Sequence, residues 1–173
     1  MIQRLNNINQ SAWFWLGIIG IGLAMEAVAL FYQYGLDYGP CTLCSHVRAW
    51  ILGGMMLAVL GFLVRRQNAL NGLAHLGLLG MAGGLLYSSW QTLGVERGFI
   101  FSSCELGSGF PSWLPLHEWW PSIFEATELC GYTPYLLFGV TMAEALVVVA
   151  AATILALSVS TLASLARAVR GSP

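Results

Sequence analysis

Four apolar stretches, each about 20 residues long, leave this chain few ways to fold. They run at about 11–34, 44–64, 69–93 and 135–157. Each exceeds the roughly 17 residues a helix needs to cross bilayer hydrocarbon. No water is available there to satisfy backbone N–H and C=O groups, so such stretches cross as helices. Only 9% of the 173 residues are charged and lysine is absent; soluble domains carry roughly 25% charged residues. The expected fold is all-α, a four-transmembrane-helix bundle forming a single integral membrane domain over residues 1–173. A net charge of -1 argues neither for nucleic acid nor for an acidic partner, and no nucleic acid is expected. The first stretch follows Arg4 and contains Glu26; it is too long for a signal-peptide core and lacks a clear small-x-small cleavage site.

Arginine placement predicts the orientation. Arg4, Arg65, Arg66, Arg167 and Arg170 fall on one side, and only Arg97 lies in the opposite loops. Excess arginine marks cytoplasmic segments, so both termini are expected in the cytoplasm. The loops at about 35–43 and 94–134 then face outward. Trp13, Trp15, Tyr32 and Tyr34 flank the first span, where such rings favour the headgroup layers. Gly80 and Gly84 form a small-xxx-small pair, read as packing within one bundle. In the long loop, Trp113, Trp119 and Trp120 alternate with prolines, which predicts a short helix lying in the interface. Glu105, Glu118, Glu125 and Glu128 keep that loop soluble at its edge.

All four cysteines, Cys41, Cys44, Cys104 and Cys130, fall on the predicted outer side. Cysteines used merely as small core residues would not avoid the other half, whereas disulfides follow an oxidising compartment. Zinc would need two short-spaced pairs; Cys104 and Cys130 are far apart, and no spacing recruits His46 or His117. Two structural disulfides are the remaining alternative. Against them, Cys41-Thr-Leu-Cys44 closes a small strained ring, a poor staple and a good redox couple. Pro40 and the preceding turn put this pair at the N-terminus of the second span, where unpaired N–H groups and the helix dipole favour a thiolate. Arg48, four residues after Cys44, shares its face about 6 Å along the axis. It can stabilise a Cys44 thiolate or an anionic acceptor; snorkelling to the interface is the alternative. Glu26 and Glu144, read at similar depths in the first and fourth spans, are functional candidates or helix-to-helix bonds. His75 is expected at the interface, with Trp90 and Gln91 in the outer belt.

Four spans, a Pro-Cys-x-x-Cys opening the second, Arg48, two cysteines in a long second outer loop and the stretch Phe110-Pro-Ser-Trp-Leu-Pro-Leu together resemble the DsbB family. The resemblance implies a bacterial inner-membrane thiol–quinone oxidoreductase with its cysteines periplasmic. It implies that a disulfide between Cys104 and Cys130 accepts electrons from a DsbA-like thioredoxin-fold oxidase, Cys104 forming the mixed disulfide. Cys130 would exchange with Cys41, and Cys44 would pass electrons to ubiquinone or menaquinone beside Arg48. Such an oxidase is itself strongly oxidising, at about -120 mV, so an ordinary dithiol could not regenerate it downhill. A DsbI-like sister would share this chemistry. A vitamin K epoxide reductase-like protein would place Cys-x-x-Cys after the loop cysteines, the reverse of the order here. A non-enzymatic scaffold stapled by two disulfides is the alternative of a different class.

Overall fold

The computed structural model describes residues 11–101, 109–136 and 139–170, with side chains as far as residue 162 and without that of Asn68. Four long helices form a bundle: α1 (Ala12–Gly35), α2 (Thr42–Val64), α3 (Asn68–Glu96) and α6 (Met142–Arg170). Two single turns, α4 (Leu116–Trp119) and α5 (Pro121–Phe124), interrupt the connection between α3 and α6. Each long helix carries a segment apolar enough to cross a membrane. Large apolar side chains such as Met56, Leu63, Val148 and Leu155 are about 70% exposed, a surface that water would not tolerate and lipid accepts.

α2 packs on α1 and α3, and α3 packs on α6, whereas among the described residues the backbones of α1 and α6 stay more than 8 Å apart, Cα to Cα. The two ends of the bundle differ in consequence. At the end carrying Arg65 and Arg66, Trp15, Ala58, Leu78, Ala82 and Leu157 join all four helices in one buried cluster. Towards the cysteine end, Val47, Ile51, Leu85 and Ala150 form a second cluster, with Met25 and Leu146 only partly buried beside it. Lipid tails are as apolar as the helices, so tight packing has to hold the bundle together. Glycine makes it tight: the Trp15 ring lies flush on Gly61, and the Trp50 ring covers Gly84 while its Nε1 donates to Ser88 Oγ at 3.1 Å. Gly80 has open space beside it, so only one member of the small-residue pair serves this packing.

Two sequence expectations change here. The fourth span, expected from about 135, begins as a helix only at Met142. Before it, Leu136 N–H bonds to the Val140 carbonyl at 2.8 Å, Tyr135 pairs with Thr141, and Gly139 adopts φ +76°. That left-handed residue turns the chain back and cannot continue a helix. Glu144 therefore sits in the first turn of α6 and not two turns deep. It forms a capping box with Thr141: Thr141 N–H donates to Glu144 Oε2 at 3.1 Å, and Glu144 N–H to Thr141 Oγ1 at 3.3 Å. The same carboxylate pairs with Arg97 beyond the end of α3.

His75 is the second change. It is fully buried between Phe14, stacked at 5.2 Å, and Trp15, edge-on at 4.9 Å. Its Nδ1 is 2.8 Å from the Asn71 carbonyl. The aromatic pair from α1 offers the imidazole a flat slot that the interface does not.

Candidate active site

Pro40 ends the short α1–α2 connection and Cys41 takes the N-cap of α2, with extended backbone at φ -85° and ψ 166°. Its Sγ accepts the Cys44 N–H at 3.1 Å, and its carbonyl accepts the Ser45 N–H at 2.9 Å. Cys41 thus stands where a serine or aspartate often caps a helix, and negative charge on its sulfur is met by the orphan N–H groups of the first turn. Cys41 and Cys44 form a disulfide with their Cα atoms 4.9 Å apart. Cys41 is buried and Cys44 half-buried. The second cysteine-bearing loop contributes Cys130, also disulfide-bonded and half-buried. Cys104 lies outside the described residues.

Arg48 is buried, at 5% exposure, so it does not snorkel to the surface. Its guanidinium is fixed at three points. Nη1 donates to Gln33 Oε1 at 2.5 Å and to the Ile123 carbonyl at 2.9 Å, and Nη2 donates to the Ala29 carbonyl at 3.2 Å. One side chain on α2 thereby ties α1 to the loop turn α5. These partners are neutral, so the guanidinium keeps its positive charge available. Glu26 is also buried and within electrostatic reach of Arg48, yet no ion pair joins the two, and among the described residues Glu26 Oε1 has no hydrogen-bond partner.

Where the backbones of α1 and α6 stand apart towards the cysteine end, a cavity of about 640 Å³ opens between them, with α2 as its inner wall. Its wall is mostly apolar: Ile21, Met25 and Val28 from α1, Val47 and Ile51 from α2, and Leu146 and Val149 from α6. Cys41, Cys44 and Arg48 all line it, with Tyr32, Tyr38 and Tyr132 around its loop side. Tyr32 Oη donates to the Tyr135 carbonyl at 3.1 Å, which fixes that rim. A hydrogen bond with Tyr38 raises the Tyr132 phenol above its ordinary range. An apolar chamber with one buried cation and a disulfide at one end suits a flat carbonyl-bearing ring with a hydrocarbon tail.

Of the residues singled out in the sequence, the structure brings Cys41, Cys44 and Arg48 to one cavity. His46 and His117 pack against Phe110 instead. Trp90 lies against Phe99, and Thr92 rather than Gln91 lines the cavity. Sequence reasoning missed Gln33. Its signal was spacing: Glu26, Ala29 and Gln33 recur at helical intervals on one face of α1, and the last two hold Arg48.

Fold and site together define a multi-pass helical membrane protein with a disulfide at the mouth of an apolar chamber. Residues 11–160 match the family model for DsbB, the disulfide bond formation protein, and the chain belongs to that family. It is similar to disulfide bond formation protein B 2 of Pseudomonas aeruginosa, 33% identical over 75% of this chain and 78% of that one. It is likewise 33% identical to disulfide bond formation protein B of Haemophilus influenzae, over 86% and 85% of the two chains. The protein of the same name from Shewanella loihica is also 33% identical, over 91% of this chain and 93% of its own. The chain is therefore an oxidoreductase of disulfide bond formation.

Proposed function

We propose that this protein, one membrane domain in the bacterial inner membrane with cytoplasmic termini and periplasmic cysteines, reoxidises a periplasmic DsbA-like oxidase and delivers the electrons to the quinone pool. The observation that carries this reading is the shared cavity: the disulfide at the N-cap of α2 and the buried Arg48 both face it. Catalysis is assigned to Cys41, Cys44, Cys104 and Cys130, and acceptor binding to Arg48 and Cys44. Ubiquinone or menaquinone, bound in the cavity, supplies a two-electron acceptor. The chamber fits either: its apolar walls take an isoprenoid tail and the Arg48 cation attracts a ring oxygen.

The residues divide the work. Cys104 takes the incoming oxidase as a mixed disulfide, releasing Cys130 as a thiolate. Cys130 then attacks Cys41, and Cys44 leaves as a thiolate whose charge is met by the α2 N-terminus and Arg48. The second cysteine of the oxidase displaces Cys104, releasing the oxidised oxidase, and the Cys104 thiolate attacks Cys130, re-forming their disulfide and freeing Cys41 as a thiol. Two electrons then pass from the Cys41 and Cys44 sulfurs to the quinone as the Cys41–Cys44 bond re-forms. Burial of Cys41 and Arg48 keeps competing water and stray thiols from the exchange.

Maleimide trapping in living cells tests this reading. With quinone synthesis blocked, the cysteines are expected to accumulate as alkylatable thiols. Cysteines that stay fully disulfide-bonded would instead identify a stapled scaffold.

A further inference from the structure

Residues 122–128 cross the mouth of the Cys41–Cys44 site as a strap tied down at three places. The Ser122 carbonyl accepts from Gln33 Nε2 at 3.0 Å and from Tyr34 Oη at 2.5 Å. The Ile123 carbonyl accepts from Arg48 at 2.9 Å. At the far end, the Pro40 carbonyl accepts from the N–H groups of Thr127, at 3.0 Å, and Glu128, at 3.3 Å. Cys41 and Glu128 thereby pair as a parallel bridge.

The strap ends two residues before Cys130. Each residue spans at most about 3.6 Å, so the Cys130 Cα lies within roughly 7 Å of that of Glu128. Paired strands stand about 5 Å apart. Cys130 is thus leashed within about 12 Å of Cys41, and a disulfide needs its Cα atoms within about 6.8 Å. A small swing about Leu129 covers the difference.

The tie at Pro40 depends on bare space. The φ of Gly39 lies outside the left-handed region, so backbone conformation does not demand glycine there. A Cβ on Gly39 would overlap the Thr127 hydroxyl and stand 3.2 Å from Thr127 Cβ and 3.0 Å from Glu128 Cγ. Alanine would lift the strap from Pro40.

We infer that Gly39 is a positioning residue for exchange between the two cysteine pairs: its missing side chain lets residues 127 and 128 dock on Pro40 and hold Cys130 within reach of Cys41. The step is thiol–disulfide exchange. The Cys130 thiolate bonds to Cys41 Sγ, the Cys41–Cys44 bond breaks, and Cys44 leaves as a thiolate, with no net oxidation. This rests on the relay proposed above.

The test mixes the purified full-length protein with a reduced DsbA-like oxidase, quenches with acid, alkylates, and resolves species without reductant. In Gly39→Ala, the mixed disulfide at Cys104 should accumulate and the link between Cys130 and Cys41 should form about tenfold more slowly. Adding Thr127→Ala, which removes the obstructing hydroxyl, should restore most of that rate. An unchanged rate in Gly39→Ala, or a loss that Thr127→Ala does not relieve, would overturn the inference. Should the wild-type protein form no mixed disulfide at all, the relay itself falls, an outcome distinct from a defect confined to the variant.

Discussion

Arg48 is held by an amide oxygen and two backbone carbonyls, which orient a guanidinium without cancelling its charge. Lysine would keep the charge, but a point-like ammonium cannot span α1 and the loop turn together. Arg48→Lys and Arg48→His are expected to raise the apparent KM for quinone about tenfold, with a smaller effect on capture of the oxidase, as steady-state kinetics will show. An unchanged KM would leave Arg48 a purely structural tie. Glu26 poses the opposite case: a buried carboxyl with an unpartnered oxygen weakens the fold. Glu26→Met should raise the melting temperature in detergent by about 2–4 °C while slowing quinone turnover, the usual exchange of stability for function. Cys41, Cys44 and Arg48 were legible in the sequence because their spacing on one helix fixes their relative placement. Gln33 and Gly39 were not. Their significance lies in contacts with residues 48 and 127; the helical spacing of Gln33 marks a face of α1 but does not say what that face meets.

α6 shows how far an element can be read from hydropathy. The apolar run from Tyr135 suggests a helix start there, yet Gly139 and the Thr141–Glu144 capping box delay it to Met142. The signal was present as Thr-Met-Ala-Glu, a helix-start signature that a hydropathy window averages away. The box and the Arg97–Glu144 pair fasten the start of α6 beside the end of α3. Thr141→Ala should lower stability by about 1 kcal/mol, seen as a fall of roughly 2–4 °C in melting temperature. α2 is the contrasting element. Pro40 and the Cys-x-x-Cys marked its start closely, because a proline before a capping residue is a local signal. His75 was misjudged for the same reason that Gln33 was missed: its slot is made by Phe14 and Trp15 on another helix.

At the scale of the molecule, the bundle is closed at one end and parted at the other. Trp15 and its neighbours weld the four helices near Arg65, and near the cysteines α1 and α6 stand apart around the cavity. The number of spans was legible because bilayer thickness imposes it. The parting of α1 from α6 was not, since it follows from which helices pack together. In the proposed relay, that gap lets one site address both sulfur chemistry at the loops and an apolar acceptor in the membrane. The most direct measurement follows quinone absorbance as the purified protein meets a reduced DsbA-like oxidase. One quinone should be consumed per dithiol oxidised, and none in Cys44→Ala although Cys104 still traps the oxidase. Undiminished quinone consumption by Cys44→Ala would contradict the relay.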